Sequence, residues 1–191
     1  MKILIITGHP DQESFNYALA EAYYKGAIAT GATITRINIG ELDFDPNLRY
    51  GYRQRCELEP DLQDALDKIQ EADHIVWFFP MWWYGYPAIM KGFIDRTFLP
   101  GLTYQPVPGK PFPKKLLKGK TSRIVITSDT PRWYDRLFMG QPTINQFKKG
   151  TLQFCGINPV KVTYISVIKG STDEFRQKWL NKITRLGKNL K

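Results

Sequence analysis

Along the chain, short runs that are apolar almost without a break alternate with segments whose apolar positions recur at helical spacing. Residues 2–7 (KILIIT), closed by Gly8 and Pro10, read as a strand buried on both faces. Ser14 then stands where it can cap a helix carrying Phe15, Ala18, Leu19, Ala22 and Tyr23 on one stripe, running to near Gly31. Residues 33–39 alternate as a second strand, and residues 40–60, rich in Pro, Gly, Asp and Arg, form an irregular excursion of the sort that covers a site. A helix over 61–72 (Leu62, Ala65, Leu66, Ile69 inward) precedes a third strand over 74–79, HIVWFF. Pro87 opens the next helix, AIMKGFIDRTF, which Pro100 limits; a proline- and lysine-rich connector without apolar period fills 101–119. A fourth strand is expected over 123–127 and a fifth over 160–166, with short helices over 133–139 and 143–154 between them. Residues 172–190 close the chain as an amphipathic helix with Phe175, Trp179, Ile183 and Leu186 inward. Strand and helix in strict alternation predict a single α/β domain over 1–191, a parallel sheet with helices on both faces.

Composition adds bounds. With 191 residues, 42% hydrophobic and 24% charged, the chain is long enough to build a core without disulfides or structural metal. Cys56 and Cys155 show no metal-ligand spacing, so no metal is expected, and two lone cysteines fit a reducing compartment. The longest apolar stretch, 75–90, is interrupted by Pro80, Gly85 and Pro87, which argues against a membrane span, and the first strand is too short for a secretory signal. A cytoplasmic protein is the expectation. Net charge is +9, but residues 1–100 carry 9 Lys and Arg against 14 Asp and Glu, whereas residues 101–191 carry 18 against 4. The basic half suits either a phosphate-bearing ligand or a solvated face that keeps the protein soluble. No helix-turn-helix, zinc-finger or RNP pattern accompanies it, so nucleic acid is not an expected partner.

Ligands of open α/β sheets bind beyond the carboxyl ends of the strands, which directs attention to the loops after the first, third and fourth strands. The first, GHPDQESFN (8–16), brings the Ser14 hydroxyl and the free amides of Phe15 and Asn16 to a helix N-terminus, an anion site in outline. His9 at its mouth either donates to that anion or merely packs and caps. No GxGxxG follows the first strand and no GxxxxGK[ST] occurs anywhere, which disfavours a dinucleotide-binding dehydrogenase and a P-loop NTPase. The loop after the third strand, WFFPMWWYGYP (77–87), holds seven aromatics in eleven positions. Trp77, Phe78 and Phe79 belong to the strand, while Trp82, Trp83, Tyr84 and Tyr86 lie beyond it and require a planar ligand, a protein partner or the protein's own loops to cover them.

In the order GHP with ESFNYALA, then FPMWWYGYPAIMKGFIDR, then ITSDTP with a following WY, the sequence resembles the flavodoxin-like NAD(P)H:quinone oxidoreductases and their bacterial relatives across nearly its whole length. The middle motif is the specific one: Pro80, the aromatic run, Pro87, Lys91, Gly92 and Asp95-Arg96. The resemblance implies a flavodoxin-like five-stranded parallel sheet of order 2-1-3-4-5, a non-covalent flavin (FMN, or alternatively FAD), NAD(P)H as co-substrate, and a homodimer that builds each site from both subunits. By motif match His9, Ser14, Phe15 and Asn16 would hold the flavin phosphate. Pro80, Met81, Trp82, Trp83 and Tyr84 would lie along the ring system and give it backbone N–H groups, with Thr127, Ser128 and Asp129 forming the second flavin loop. Tyr134, backed by Tyr84 and by amides around Ser128, is the expected catalytic group. The chain departs from the family at that loop: Asp129 and Thr130 stand where better known members have two glycines, and no histidine follows the tyrosine, so a Tyr–His proton relay is not carried over. The function implied is two-electron transfer by ping-pong from NAD(P)H through the flavin to a quinone or similar acceptor. The sequence is also similar to ancillary subunits of potassium efflux systems, which would make it a regulatory flavoprotein at a transporter; a one-electron carrier fits less well, since such carriers are usually acidic.

Overall fold

The computed structural model describes residues 1–190. In chain order the elements are β1 (Lys2–Thr7), α1 (Phe15–Ile28), β2 (Thr33–Asn38), α2 (Pro60–Glu71), β3 (His74–Pro80), α3 (Ala88–Thr97) and a two-residue antiparallel ribbon, β4 (Tyr104–Gln105) with β5 (Lys114–Lys115). They continue as β6 (Thr121–Thr127), α4 (Arg132–Leu137), α5 (Pro142–Ile144), β7 (Val160–Ile165) and α6 (Asp173–Lys188). The five long strands form one parallel sheet, β2-β1-β3-β6-β7. That is the order 2-1-3-4-5 implied by the resemblance.

The sequence pattern explains who sits where. β3 is buried at every position and β1 at all but Lys2, because central strands of such a sheet have helices on both sides. The edge strand β2 buries only Ile37 fully, which is why its sequence alternates. Odd residues of β3 (Ile75, Trp77, Phe79) point to a core shared with α2, α3 and Phe147, and even ones (Val76, Phe78) to a second core under α1 and α6. Each fully buried large apolar side chain there stabilises the fold by about 1.5–3 kcal/mol.

Three local expectations gain detail in the structure. The segment expected as a short helix over 143–154 is α5 continued by a nine-residue π-helical stretch, Asn145–Gln153, which drives Phe147 and Leu152 into the core. The connector over 101–119 is not structureless: it folds into the β4–β5 ribbon and buries Leu117. The excursion over 40–60 is a strap across α3. Arg96, 3% exposed, grips it through the Glu59 carboxylate (2.7 and 3.1 Å) and the carbonyls of Glu57 and Asp45, and Gly92 leaves the room that Pro46 occupies.

Candidate functional site

At the carboxyl end of the sheet the loops after β1, β3, β6 and β7 enclose an open cleft of about 640 Å³. His9, Ser14, Phe15, Asn16, Pro80, Met81, Trp82, Thr127, Ser128 and Asp129 all line it, as the sequence expectation has them. Ile168, Lys169 and Arg176 complete the lining. These three come from the loop after β7 and the first turn of α6, a carboxyl-end loop that the search of the first, third and fourth loops passed over; the KGS turn beside an arginine at a helix start was the available signal.

The α1 end is built for an anion. Ser14 Oγ caps the helix by accepting from the Tyr17 N–H at 3.4 Å, and the amides of Phe15 and Asn16 have no acceptor among the described residues. His9 Nδ1 lies within hydrogen-bond distance of both the Asp11 N–H (2.9 Å) and the Asp11 carbonyl (3.1 Å), which holds the ring in place and leaves Nε2 without a protein partner among the described residues. Partial burial holds this imidazole below the usual histidine range, against the raising effect of Asp11, and its ring meets the Trp82 indole edge-on at 5.4 Å. Arg176 lies over the Phe15 ring at 5.5 Å and donates from Nε to Ser171 Oγ at 3.0 Å. Neither Arg176 nor Lys169 is in an ion pair among the described residues, and both face a cleft that one carboxylate, Asp129, also lines.

Asn16 differs from its expected role. Its side chain is 4% exposed and donates from Nδ2 to Thr127 Oγ1 at 2.9 Å, tying the start of α1 to the end of β6, so only its backbone remains for a ligand. Asp129 likewise spends a carboxylate oxygen on the Lys169 N–H at 2.6 Å, bracing the β7 loop. The Ser128 amide donates to Ile165 O at 2.9 Å and its hydroxyl accepts from the Thr130 N–H at 2.9 Å; this amide is therefore not the free donor anticipated there.

The aromatic loop is a tight turn. Trp82 and Gly85 exchange both backbone hydrogen bonds at 2.9 Å, with Trp83 and Tyr84 between them at φ of 50° and 55°, a left-handed conformation unfavourable for bulky residues. The Met81 amide is consumed by Thr127 O at 2.8 Å. Of the N–H groups expected along 80–84, proline supplies none, two are internal, and those of Trp83 and Tyr84 remain free among the described residues. Trp83 is wholly exposed and Trp82 44% exposed, but Tyr86 is not part of this surface: it is 9% exposed and packs on Phe79 and Phe147, where burial pushes its phenol up to about 12.

Tyr134 does not line the cleft. It stands on α4, 39% exposed, stacked on Phe138 at 5.2 Å, because the helix turns Asp135 inward instead. Trp83 and Tyr84 also stand outside the lining, and the strap over 40–60 contributes nothing to it.

The profile of the flavodoxin-like fold family matches residues 1–186. The ribosyldihydronicotinamide dehydrogenase [quinone] of Pongo abelii is 29% identical over 180 residues, which cover 81% of this chain and 77% of that protein. An uncharacterized NAD(P)H oxidoreductase of Haemophilus influenzae is 29% identical over 184 residues, 93% of this chain and 89% of the other. Among solved structures, a Streptococcus mutans UA159 protein superposes with a TM-score of 0.86 at 32% identity, covering 99% of this chain and all of that one.

Proposed function

The chain belongs to the flavodoxin-like family, and on that premise we propose that it is a flavin-dependent NAD(P)H oxidoreductase delivering two electrons to a quinone-class acceptor. The observation that carries this reading is the cleft at the carboxyl end of the sheet, where the anion seat after β1 adjoins the start of the aromatic turn after β3. The residues fit a flavin. The free amides of Phe15 and Asn16, His9 Nε2 and Arg176 suit its phosphate, Pro80, Met81 and Trp82 its ring system, and Thr127 with Ser128 the adjoining wall. The names of the two relatives, a dihydronicotinamide:quinone dehydrogenase and an NAD(P)H oxidoreductase, support the donor and acceptor classes.

A bound flavin supplies the two-electron chemistry. The residues of the β1, β3 and β6 loops would hold it and keep water from one side, while the free Trp83 and Tyr84 amides stand beyond the cleft lining. NAD(P)H and acceptor use a single slot in turn, which gives ping-pong kinetics. Trp82, Trp83, Trp133, Tyr134, Leu137 and Phe138 are all exposed around the cleft's end of the molecule or on α4. We assign them to the interface of a homodimer, which would return Tyr134 and Tyr84 to the substrate slot. Two free cysteines suit a cytoplasmic setting.

The test is the mass of the cofactor released from purified protein, followed by NAD(P)H oxidation with menadione. FMN or FAD in the extract and parallel double-reciprocal lines are expected. Protein without flavin affinity overturns the reading; intersecting lines overturn the shared slot alone.

A further inference from the structure

The connector between α3 and β6 carries chemistry that the proposed oxidoreductase does not use. Residues 110–120 hold five lysines, and no Asp or Glu stands between Asp95 and Asp129. The segment passes through the β4–β5 ribbon into the amino end of β6, and none of its residues lines the cleft.

One set of its side chains fastens the ribbon to the body. Leu117 is buried and its N–H donates to Cys155 O at 2.9 Å, Lys115 donates from Nζ to Gln153 O at 2.9 Å, and Tyr104 packs edge-on against Phe154 at 5.0 Å. Lys120 is occupied by the carbonyls of Gln70 and Ala72. The other set is exposed: Phe112, Lys114, Leu116 and Lys118 stand in solvent at alternate positions, and Lys110 joins them beyond a turn in which its N–H meets Val107 O at 3.1 Å. Phe112 is 78% exposed, a value that among the large apolar side chains of the described residues only Trp83 exceeds. Pro111 and Pro113 restrict the backbone on either side of it, so little freedom is lost when the ring is held by a partner. Lys110, Lys114 and Lys118 enter no ion pair among the described residues. An edge that reads aromatic, cation, aliphatic, cation, with no acid among them, complements a surface that is anionic in its outer layer and apolar just beneath. Lysine stems can lie along that apolar layer while the ammonium groups stay among the headgroups. A nucleic acid would take the lysines and stack a base on Phe112, but it offers no apolar medium to Leu116.

We propose that the exposed edge over residues 110–118 docks the protein reversibly on an anionic lipid bilayer, with Phe112 and Leu116 entering the boundary between headgroups and acyl chains and Lys110, Lys114 and Lys118 lying against lipid phosphates. The lysines bring the protein to the surface and the two apolar side chains hold it there, a contact that salt weakens. The surface needs no flavin and stands whether or not the cleft holds one.

The test is sedimentation of the full-length protein with vesicles of phosphatidylcholine, alone or mixed with phosphatidylglycerol, at low and high salt. Binding to the mixed vesicles and not to phosphatidylcholine alone is expected, weakening as salt rises. Replacing Lys110, Lys114 and Lys118 together by Gln, at exposed positions, should weaken it by about tenfold or more. The same loss of charge on α6, with Lys178, Lys182 and Lys188 replaced by Gln, should weaken it by about threefold or less, which separates this edge from net charge alone. Phe112→Ser, which alters no charge, should weaken it by about fivefold. Circular dichroism of each variant should match the wild type, since none of these side chains is buried. Four results overturn the proposal: no binding to the mixed vesicles, equal weakening by the two triple substitutions, unchanged binding by Phe112→Ser, or release from the vesicles by duplex DNA at equal phosphate concentration, which would assign the edge to nucleic acid.

Discussion

Asn16 illustrates how one side chain divides between ligand and fold. Its buried amide and the Thr127 hydroxyl satisfy each other, so Asn16→Ala strands a buried partner and should cost about 1–3 kcal/mol in urea unfolding. Ser14→Ala removes a half-buried cap with a long bond; it should cost about 1 kcal/mol or less and be seen mainly as faster flavin loss on dilution. His74 gives a pH signature. Its native pKa is lowered to about 4 by burial, whereas the unfolded ring titrates near about 6.5. Between these values the unfolded chain binds the extra proton, so stability is full above the upper value and falls as pH drops toward the lower one. At about 1.4 kcal/mol per unit the window is worth about 3 kcal/mol. In chloride buffers the stability gap between wild type and His74→Gln, from urea curves at stepped pH, should shrink by that order from pH ~7 to ~4. Residue types at these positions could be read from the sequence. Which amides were already taken could not, because the acceptors of Met81 and Ser128 lie on strands distant in the chain.

Two elements meet closely enough that glycine is obligatory. α1 and α6 cross with backbones in contact: a Cβ on Gly26 would lie 2.1 Å from Thr184 O, and one on Gly187 2.2 Å from Tyr23 O. Gly26→Ala must push the helices apart and should lower stability by about 3 kcal/mol or more, whereas Gly150→Ala, with open space around it, should be neutral within about 0.5 kcal/mol by the same urea assay. The α6 stripe was legible from spacing alone; this helix-to-helix approach was not, since a single glycine inside a helical pattern carries no partner's address. The strap shows the same limit. Burial raises the Glu59 carboxyl, but hydrogen bonds from its own backbone, from Asp45 and from Arg96 bring it net below the usual range. Arg96→Met leaves that carboxylate without its guanidinium and should release the strap, seen as rapid amide exchange over 45–59 while β1 and β3 stay protected.

On the scale of the whole molecule, large apolar side chains stand exposed at the cleft end and at the end of α4, with Trp83 fully and Leu137 and Phe138 about 70% exposed, a feature of association surfaces. Sedimentation should give a dimer at micromolar concentration, and Trp83→Ser with Phe138→Ser should shift it toward monomer without loss of helix content; wild-type protein that sediments as a monomer with flavin bound would refute the assignment. The sheet was already determined by the sequence. Apolar runs too continuous for a one-sided strand, separated by amphipathic segments, leave a parallel sheet covered on both faces as the arrangement that buries them, and the GHP, FPMWWYGYP and ITSD segments fall at strand ends by that register. The cleft lining followed, since loops at the carboxyl ends of adjacent parallel strands converge wherever the order brings those strands together. What only the tertiary structure decided was the use of each polar group. Thr127 claims the Asn16 side chain, Asp129 braces the β7 loop, Lys169 and Arg176 enter the cleft from a fourth loop, and Arg123 is left facing Lys161 without an acid. Hydrogen bonds and charge pairs are settled by partners far apart in the chain and within about 3 Å in space, a distance no spacing of residues along a sequence encodes.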